Sequence, residues 1–199
     1  MERSCSVAAL AQRLLSGEAA IFPTDTLPAL ASRPERAAQL WQLKGRPQDK
    51  PVILMGASAA DLWQGLGIEP LREWRSMAEQ HWPGALTLVL PARSSVVAML
   101  NPGGCTLGVR VPACAVAVEL LRATGPLATT SANQSGEPPC LTAEEAAIRF
   151  PKLARLGPEP WPRPSGQAST VLLWNSSGGW DLLRRGSVLP LEVEQDPRG

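Results

Sequence analysis

The sequence predicts an α/β domain in which helices pack against a mixed β-sheet, and three observations carry that reading. Apolar residues recur at helical spacing in some segments, gather into short Val-, Leu- and Thr-rich runs in others, and the two kinds of segment alternate. The 199 residues are 44% hydrophobic and 19% charged, which is enough apolar material for one sizeable core. No internal repeat and no run of eighteen apolar residues breaks the pattern. We therefore expect a single domain over residues 1–199, with its core in residues 4–190 and a frayed tail from Leu191.

The elements follow in order. Val7, Leu10 and Leu14 lie at helical spacing after Ser4 and Ser6, either of which can cap the helix, and Gly17 stops it. "AAIFPTDT" reads as a strand. Pro34 opens a second helix carrying Ala38, Leu40 and Trp41, which ends at Gly45. "PVILMG" is a buried strand, Ser58 to Gly65 a short helix and Pro70 to Trp82 a longer one. "ALTLVLPA", "TLGVRVP", "LATTSAN" and "STVLLW" are strands, with helices near Ala115 to Ala123 and Thr142 to Phe150 between them. The Pro-rich stretch from Gly157 to Gln167 precedes another strand, so it is a long surface loop and not a linker between domains.

Composition excludes several classes of function. Nineteen basic against eighteen acidic side chains give a net charge of +1, so no global charge marks a nucleic-acid or membrane-surface binder. Any basic site must be local. Cys5, Cys105, Cys114 and Cys140 form no C-x-x-C pair and His81 is the only histidine, which argues against a Cys/His zinc site. Without a signal peptide or membrane span, the expectation is a cytoplasmic protein with free thiols.

The local basic site is "LKGRPQDKP", Leu43 to Pro51. The chain has three lysines against sixteen arginines, yet Lys44 and Lys50 both fall here with Arg46 between them. A planar fork beside compact point charges suits phosphate, with Arg46 bridging two oxygens and the lysines spreading charge onto others. A solvated loop is the competing reading of such a short basic run. "TTSANQSG" supplies adjacent hydroxyls, an amide and a glycine turn able to bind phosphate or ribose, and Ser131 and Asn133 are the candidates. An ordinary polar turn bonded to its own backbone is the alternative. Arg110 lies inside an otherwise apolar strand, where a cation needs a partner. That partner is either a substrate carboxylate or an acid of the fold. Asp25 and Asp49 are the nearest acids within these motifs, and both can be turn residues or charge-balancing partners. No nucleophile is well supported, because His81 in "QHWPG" reads as a helix-end residue.

Taken together, "FPTDT", "LKGRPQDKPV", "WPGALTLVLPA", "GVRVP", "PLATTSANQSGEPP", "STV" and "LLRRG" occur in one order over residues 17–187. That ordered set resembles the threonylcarbamoyl-AMP synthases of the YrdC and Sua5 type. The resemblance implies a twisted mixed sheet flanked by helices around a basic cavity. It also implies a nucleotidyltransferase that makes threonylcarbamoyl-AMP and pyrophosphate from ATP, bicarbonate and L-threonine for threonylcarbamoyladenosine synthesis on tRNA. By resemblance, Lys44, Arg46 and Lys50 are catalytic. Arg46, Lys50, Thr106, Ser131, Asn133 and Arg184 bind ATP, and Thr26, Arg110, Thr129 and Ser169 bind threonine. Mg²⁺ arrives with ATP and needs no protein cage. tRNA or tRNA-modification proteins are the implied partners. After "PTDT" the family continues with Val-Tyr-Gly-Leu-Gly, whereas this chain has Leu27-Pro28-Ala29-Leu30-Ala31 and no tyrosine. A different wall beside Thr26 and looser amino-acid selectivity are expected. The chain is also expected to lack the extra C-terminal domain of the longer Sua5 type. The alternative readings are an RNA-binding or ribosome-maturation module and a carbamoyl-transfer domain with another acceptor. Clustered cations on a near-neutral chain favour a nucleotide site over RNA.

Overall fold

The computed structural model describes residues 4–194. In chain order the elements are β1 (Ser4–Cys5), α1 (Val7–Leu15), β2 (Ala20–Phe22), β3 (Ala29–Ser32), a 3-10 turn (Pro34–Arg36), α2 (Ala38–Lys44) and β4 (Ile53–Met55). Then come α3 (Ala59–Leu66), α4 (Arg72–His81), β5 (Leu86–Pro91), α5 (Ser95–Leu100), β6 (Thr106–Arg110), α6 (Ala115–Thr124) and β7 (Leu127–Ser131). The chain continues through α7 (Ala143–Arg149), β8 (Ala154–Leu156), β9 (Thr170–Trp174), β10 (Trp180–Arg184) and α8 (Leu191–Glu194).

The strands form one mixed sheet in the order β1-β8-β2-β3-β7-β4-β6-β5-β9-β10. β8 runs parallel to both β1 and β2, β4 to β6, and β5 to β9. The other neighbours are antiparallel. Side chains alternate between faces along each strand, and the two faces have different fates. On one face Ile21, Leu30, Leu54, Leu86, Leu88, Leu90, Leu107, Val109 and Leu172 pack beneath α2, α3, α4, α5 and α7. On the other, α1 and α6 cover Phe22, Ala29, Ala31, Met55 and Leu127 but leave β5, β6 and β9 without a helix. That uncovered stretch of sheet is the floor of a cavity.

The sequence reading places the principal helices and strands, and the differences have local causes. The segment after Pro34 is a 3-10 turn before α2 begins at Ala38. α3 is capped by Ser58, and it runs past Gly65 to a left-handed cap at Gly67. Strand β3 was not expected, because "ALAS" lacks the β-branched and aromatic residues that mark strands. It is fully buried between β2 and β7, so tertiary pairing overrides its weak propensity. β1 and β8 are too short to signal themselves, and β10 is an exposed, charged edge strand. α5 is one short helix in a Val-rich segment. Of the tail expected to fray from Leu191, residues 191–194 form α8 and residues 195–199 lie outside the described residues.

The Pro-rich loop is anchored from within. Trp161 is buried and donates its indole N–H to Leu156 O at 2.6 Å. Farther on, the amides of Ser165 and Gly166 donate to Asp25 O and Thr26 O, which ties the loop to the turn after β2.

Candidate functional site

The cavity has a volume of about 480 Å³. Its floor comes from alternate residues of the open face: Thr87 and Val89 of β5, Thr106, Gly108 and Arg110 of β6, and Val171 and Leu173 of β9. One wall is the end of β7, with Thr129, Thr130 and Ser131, and another is Leu27, Pro28 and Ala29 leading into β3. Among the described residues Arg46, Arg110 and Arg184 are its charged side chains, and no Asp or Glu lines it. Eight residues singled out in the sequence meet here: Thr26, Arg46, Thr106, Arg110, Thr129, Ser131, Ser169 and Arg184.

Helix α2 sets the fates of the basic segment. Gly45 takes a left-handed conformation, φ 58°, that a side chain would disfavour, and the Arg46 amide bonds back to Trp41 O at 2.9 Å. The reversal sends neighbouring cations in different directions. Lys44, only 3% exposed, does not line the cavity. Its Nζ donates to Ser131 O at 2.7 Å, Asn133 O at 2.7 Å and Asn133 Oδ1 at 2.8 Å, which uses all three ammonium protons. Burial, then the neighbouring Arg46 charge, pushes its pKa down to about 8. Lys44 thus holds the turn after β7 from behind, and the Ser135 amide adds a bond to Lys44 O. Asn133 is also outside the lining; its Oδ1 accepts from Lys44 and from Ser131 Oγ, and its Nδ2 donates to Gln134 O and Glu137 O. Lys50 is exposed and is not among the cavity-lining residues, although its carbonyl accepts the Trp41 indole N–H.

Arg46 does enter the cavity. It donates to Pro51 O at 3.1 Å and weakly to Thr130 Oγ1 at 3.4 Å, while its Nε–H is buried with no partner among the described residues. Burial lowers its pKa, Asp49 opposes that, and Arg184 lowers it further. Arg184 rests on Ser169, donating to its carbonyl from Nε and Nη2 and to its hydroxyl at 3.2 Å. Burial lowers the Arg184 pKa as well. Two desolvated guanidiniums within each other's field, with no carboxylate in the lining, are a site that an anionic ligand stabilises.

Arg110 has an acid of the fold as one partner. It is 4% exposed and donates to Asp25 Oδ1 at 2.8 Å, Thr26 Oγ1 at 2.7 Å and Gly84 O at 2.9 Å. Those bonds use three of its five N–H groups, leaving two for a ligand at the cavity wall. Burial lowers its pKa and the Asp25 carboxylate opposes this. Asp25 also accepts the Ala113 amide, so this motif acid is a charge-balancing partner. The Thr26 hydroxyl is held by Arg110 and Thr24. Thr129 Oγ1, by contrast, is buried, lines the cavity and has no partner among the described residues. A buried hydroxyl without a bond is costly, and a ligand polar group would satisfy it.

Sequence reasoning missed Thr87 and Asn101 in the lining, and it read Thr130 only as one of the adjacent hydroxyls of "TTSANQSG". Thr87 carried a readable signal, the one hydroxyl in "LTLVL"; it bonds Ser169 Oγ at 2.8 Å. The altered segment is ordinary strand entry: no non-glycine described residue has positive φ, and Pro28 O accepts the Ala132 amide.

A mixed sheet with one partly uncovered face, flanked by helices and lined there by three arginines, defines an α/β fold whose cavity chemistry suits an anionic ligand. Residues 12–186 match the Sua5/YciO/YrdC family model, described as telomere recombination, and the chain belongs to that family. The threonylcarbamoyl-AMP synthase of Bacillus subtilis is 34% identical over 146 residues, covering 71% of this chain and 42% of that protein. The protein of the same name from Nitrosococcus oceani is 39% identical over 146 residues, covering 71% of this chain and 78% of that one. The crystal structure of Sua5 from Pyrococcus abyssi complexed with L-threonine aligns with a TM-score of 0.83 at 31% identity, over 90% of this chain and 54% of that one. The chain therefore spans about half the length of the longer relatives.

Proposed function

We propose that this protein is an L-threonylcarbamoyladenylate synthase, a nucleotidyltransferase using ATP, bicarbonate and L-threonine. The observation that carries the reading is the cavity lining: three guanidiniums, a row of hydroxyls and one amide, with no lysine, histidine, cysteine or carboxylate among the described residues. Such a lining suits binding and orienting anions and offers its hydroxyls no base that would activate them as nucleophiles, so the reactants must supply the chemistry. The threonine amine attacks the carbon of bicarbonate, water leaves, and an N-carboxylated threonine forms. An oxygen of that carbamate attacks the α-phosphorus of ATP, the bond to the β-phosphate oxygen breaks, and pyrophosphate departs with the electron pair.

In this reading Arg46 and Arg184 neutralise the phosphates as charge builds on pyrophosphate, and Ser131 and Thr106 bind the nucleotide. The free N–H groups of Arg110 take the threonine carboxylate, while the unpartnered Thr129 hydroxyl and Thr26 and Ser169 complete the amino-acid pocket. Lys44 and Asn133 act through the turn that carries Ser131. The donor set does not suit a divalent cation held by the protein, because guanidiniums, hydroxyls and one amide line the cavity. Mg²⁺ would come on the nucleotide phosphates. The product would serve tRNA adenosine modification in the cytoplasm, with tRNA or its modification proteins as partners.

The test is pyrophosphate release and adenylate formation with ATP, bicarbonate and each of threonine and serine. Release that requires all three substrates supports the assignment. Because Leu27, Pro28 and Ala29 replace the family's wall, we expect serine to trail threonine by only about 1–3 kcal/mol in transition-state binding. Release without an amino acid, or none with all three present, overturns the assignment.

A further inference from the structure

Asn101, at the end of α5, is in none of the motifs that carry the family resemblance, yet it lines the cavity. Its amide orientation is fixed by chemistry. Nδ2 donates to Thr106 O at 3.0 Å and to Thr106 Oγ1 at 3.3 Å, and a backbone carbonyl can only accept, so the NH₂ end must face Thr106. The loop is shaped to hold it there. A Cβ on Gly104 would lie 2.2 Å from Asn101 Nδ2, and the Gly104 amide bonds Asn101 O at 2.9 Å, so the backbone passes directly against the amide. Oδ1 is left with no donor among the described residues.

The rest of the lining makes this oxygen distinctive. Its other polar side chains are guanidiniums, which only donate, and hydroxyls. Asn101 Oδ1 is the one side-chain carbonyl or carboxylate oxygen among the lining residues. It also lies close to the phosphate-facing segment: the Val52 amide bonds Leu100 O, and Arg46 grips Pro51 O next door.

We infer that Asn101 reads the nucleobase, its Oδ1 accepting a hydrogen bond from the exocyclic amino group at position 6 of a purine. The inference rests on the nucleoside-triphosphate reading above and gives it base specificity. Adenine offers an N–H at that position, unsubstituted purine offers nothing, and hypoxanthine places a carbonyl oxygen against Oδ1. The order of affinity is therefore ATP, then purine riboside triphosphate, then inosine triphosphate. A net hydrogen bond corresponds to about tenfold for the first step, and oxygen–oxygen repulsion widens the second.

The experiment is calorimetric titration of the three triphosphates and of inorganic tripolyphosphate into wild type and Asn101→Ala. Wild type should bind ATP at least about tenfold more tightly than purine riboside triphosphate. Asn101→Ala should erase that gap by weakening ATP alone, with tripolyphosphate affinity unchanged. If the variant also loses tripolyphosphate, the wild-type order alone decides. Equal wild-type affinities for the three nucleotides overturn the inference while leaving the nucleotide site standing, as does an unchanged preference in Asn101→Ala. Binding of neither nucleotides nor tripolyphosphate overturns both readings.

Discussion

The two faces of the sheet are made from the same strands, often from adjacent residues, and differ completely in use. In β5, Leu86, Leu88 and Leu90 are fully buried beneath helices, while Thr87 and Val89 between them line the cavity. β6 repeats the arrangement, with Leu107 and Val109 in the core and Thr106, Gly108 and Arg110 on the open side. The period of two separates stability from ligand binding residue by residue. β3, buried along its whole length, is made of small and apolar residues, with Ser32 its one polar side chain.

Three experiments bear on that division. The largest effect belongs to Arg110, where the faces meet. Arg110→Met strands a carboxylate, Asp25, whose side chain is 17% exposed, and should cost about 3–5 kcal/mol of stability. Threonine binding should disappear as well, with ATP binding retained. Adding Asp25→Leu should recover stability without recovering threonine, as read by thermal melts with and without each ligand. Recovery of both would mean that Arg110 is purely structural.

The next effect separates neighbours in β5. Leu88→Ala removes a fully buried side chain and should cost about 2–5 kcal/mol with unaltered ATP affinity in the folded fraction. Val89→Ala, on the cavity side and only partly buried, should cost about 1 kcal/mol or less and change ligand affinity instead. Denaturant melts paired with titration would expose any failure of this separation.

Much of this division is legible in the sequence. Leu alternating with Thr and Val in "LTLVL" states both faces, and Arg110 in an apolar run announces a buried cation. The chain does not announce what depends on rotation about one residue. Lys44 and Arg46 are both basic and only two residues apart, but the left-handed Gly45 between them points one at the turn after β7 and the other into the cavity. Lys50 looks equivalent in the string and is exposed in the fold. Asn101 hides in "NPGG", where the eye reads only a turn; its role depends on Thr106 and Gly104 arriving beside it. β10 hides too, because its residues are exposed almost throughout and so carry no apolar-in, polar-out alternation to read.

The central claim is that the bare face of the sheet binds the nucleotide, and the most direct test contrasts two cations four residues apart. ATP is titrated into wild type, Arg46→Ala and Lys50→Ala, with the fold of each checked by circular dichroism. Arg46→Ala should weaken binding by about 1–3 kcal/mol, because it removes a charge-assisted contact inside the cavity. Lys50→Ala should change it by less than about 0.5 kcal/mol, as expected of an exposed side chain. Loss of affinity in Lys50→Ala with none in Arg46→Ala would contradict the account and put the phosphate site on the outside of the basic loop.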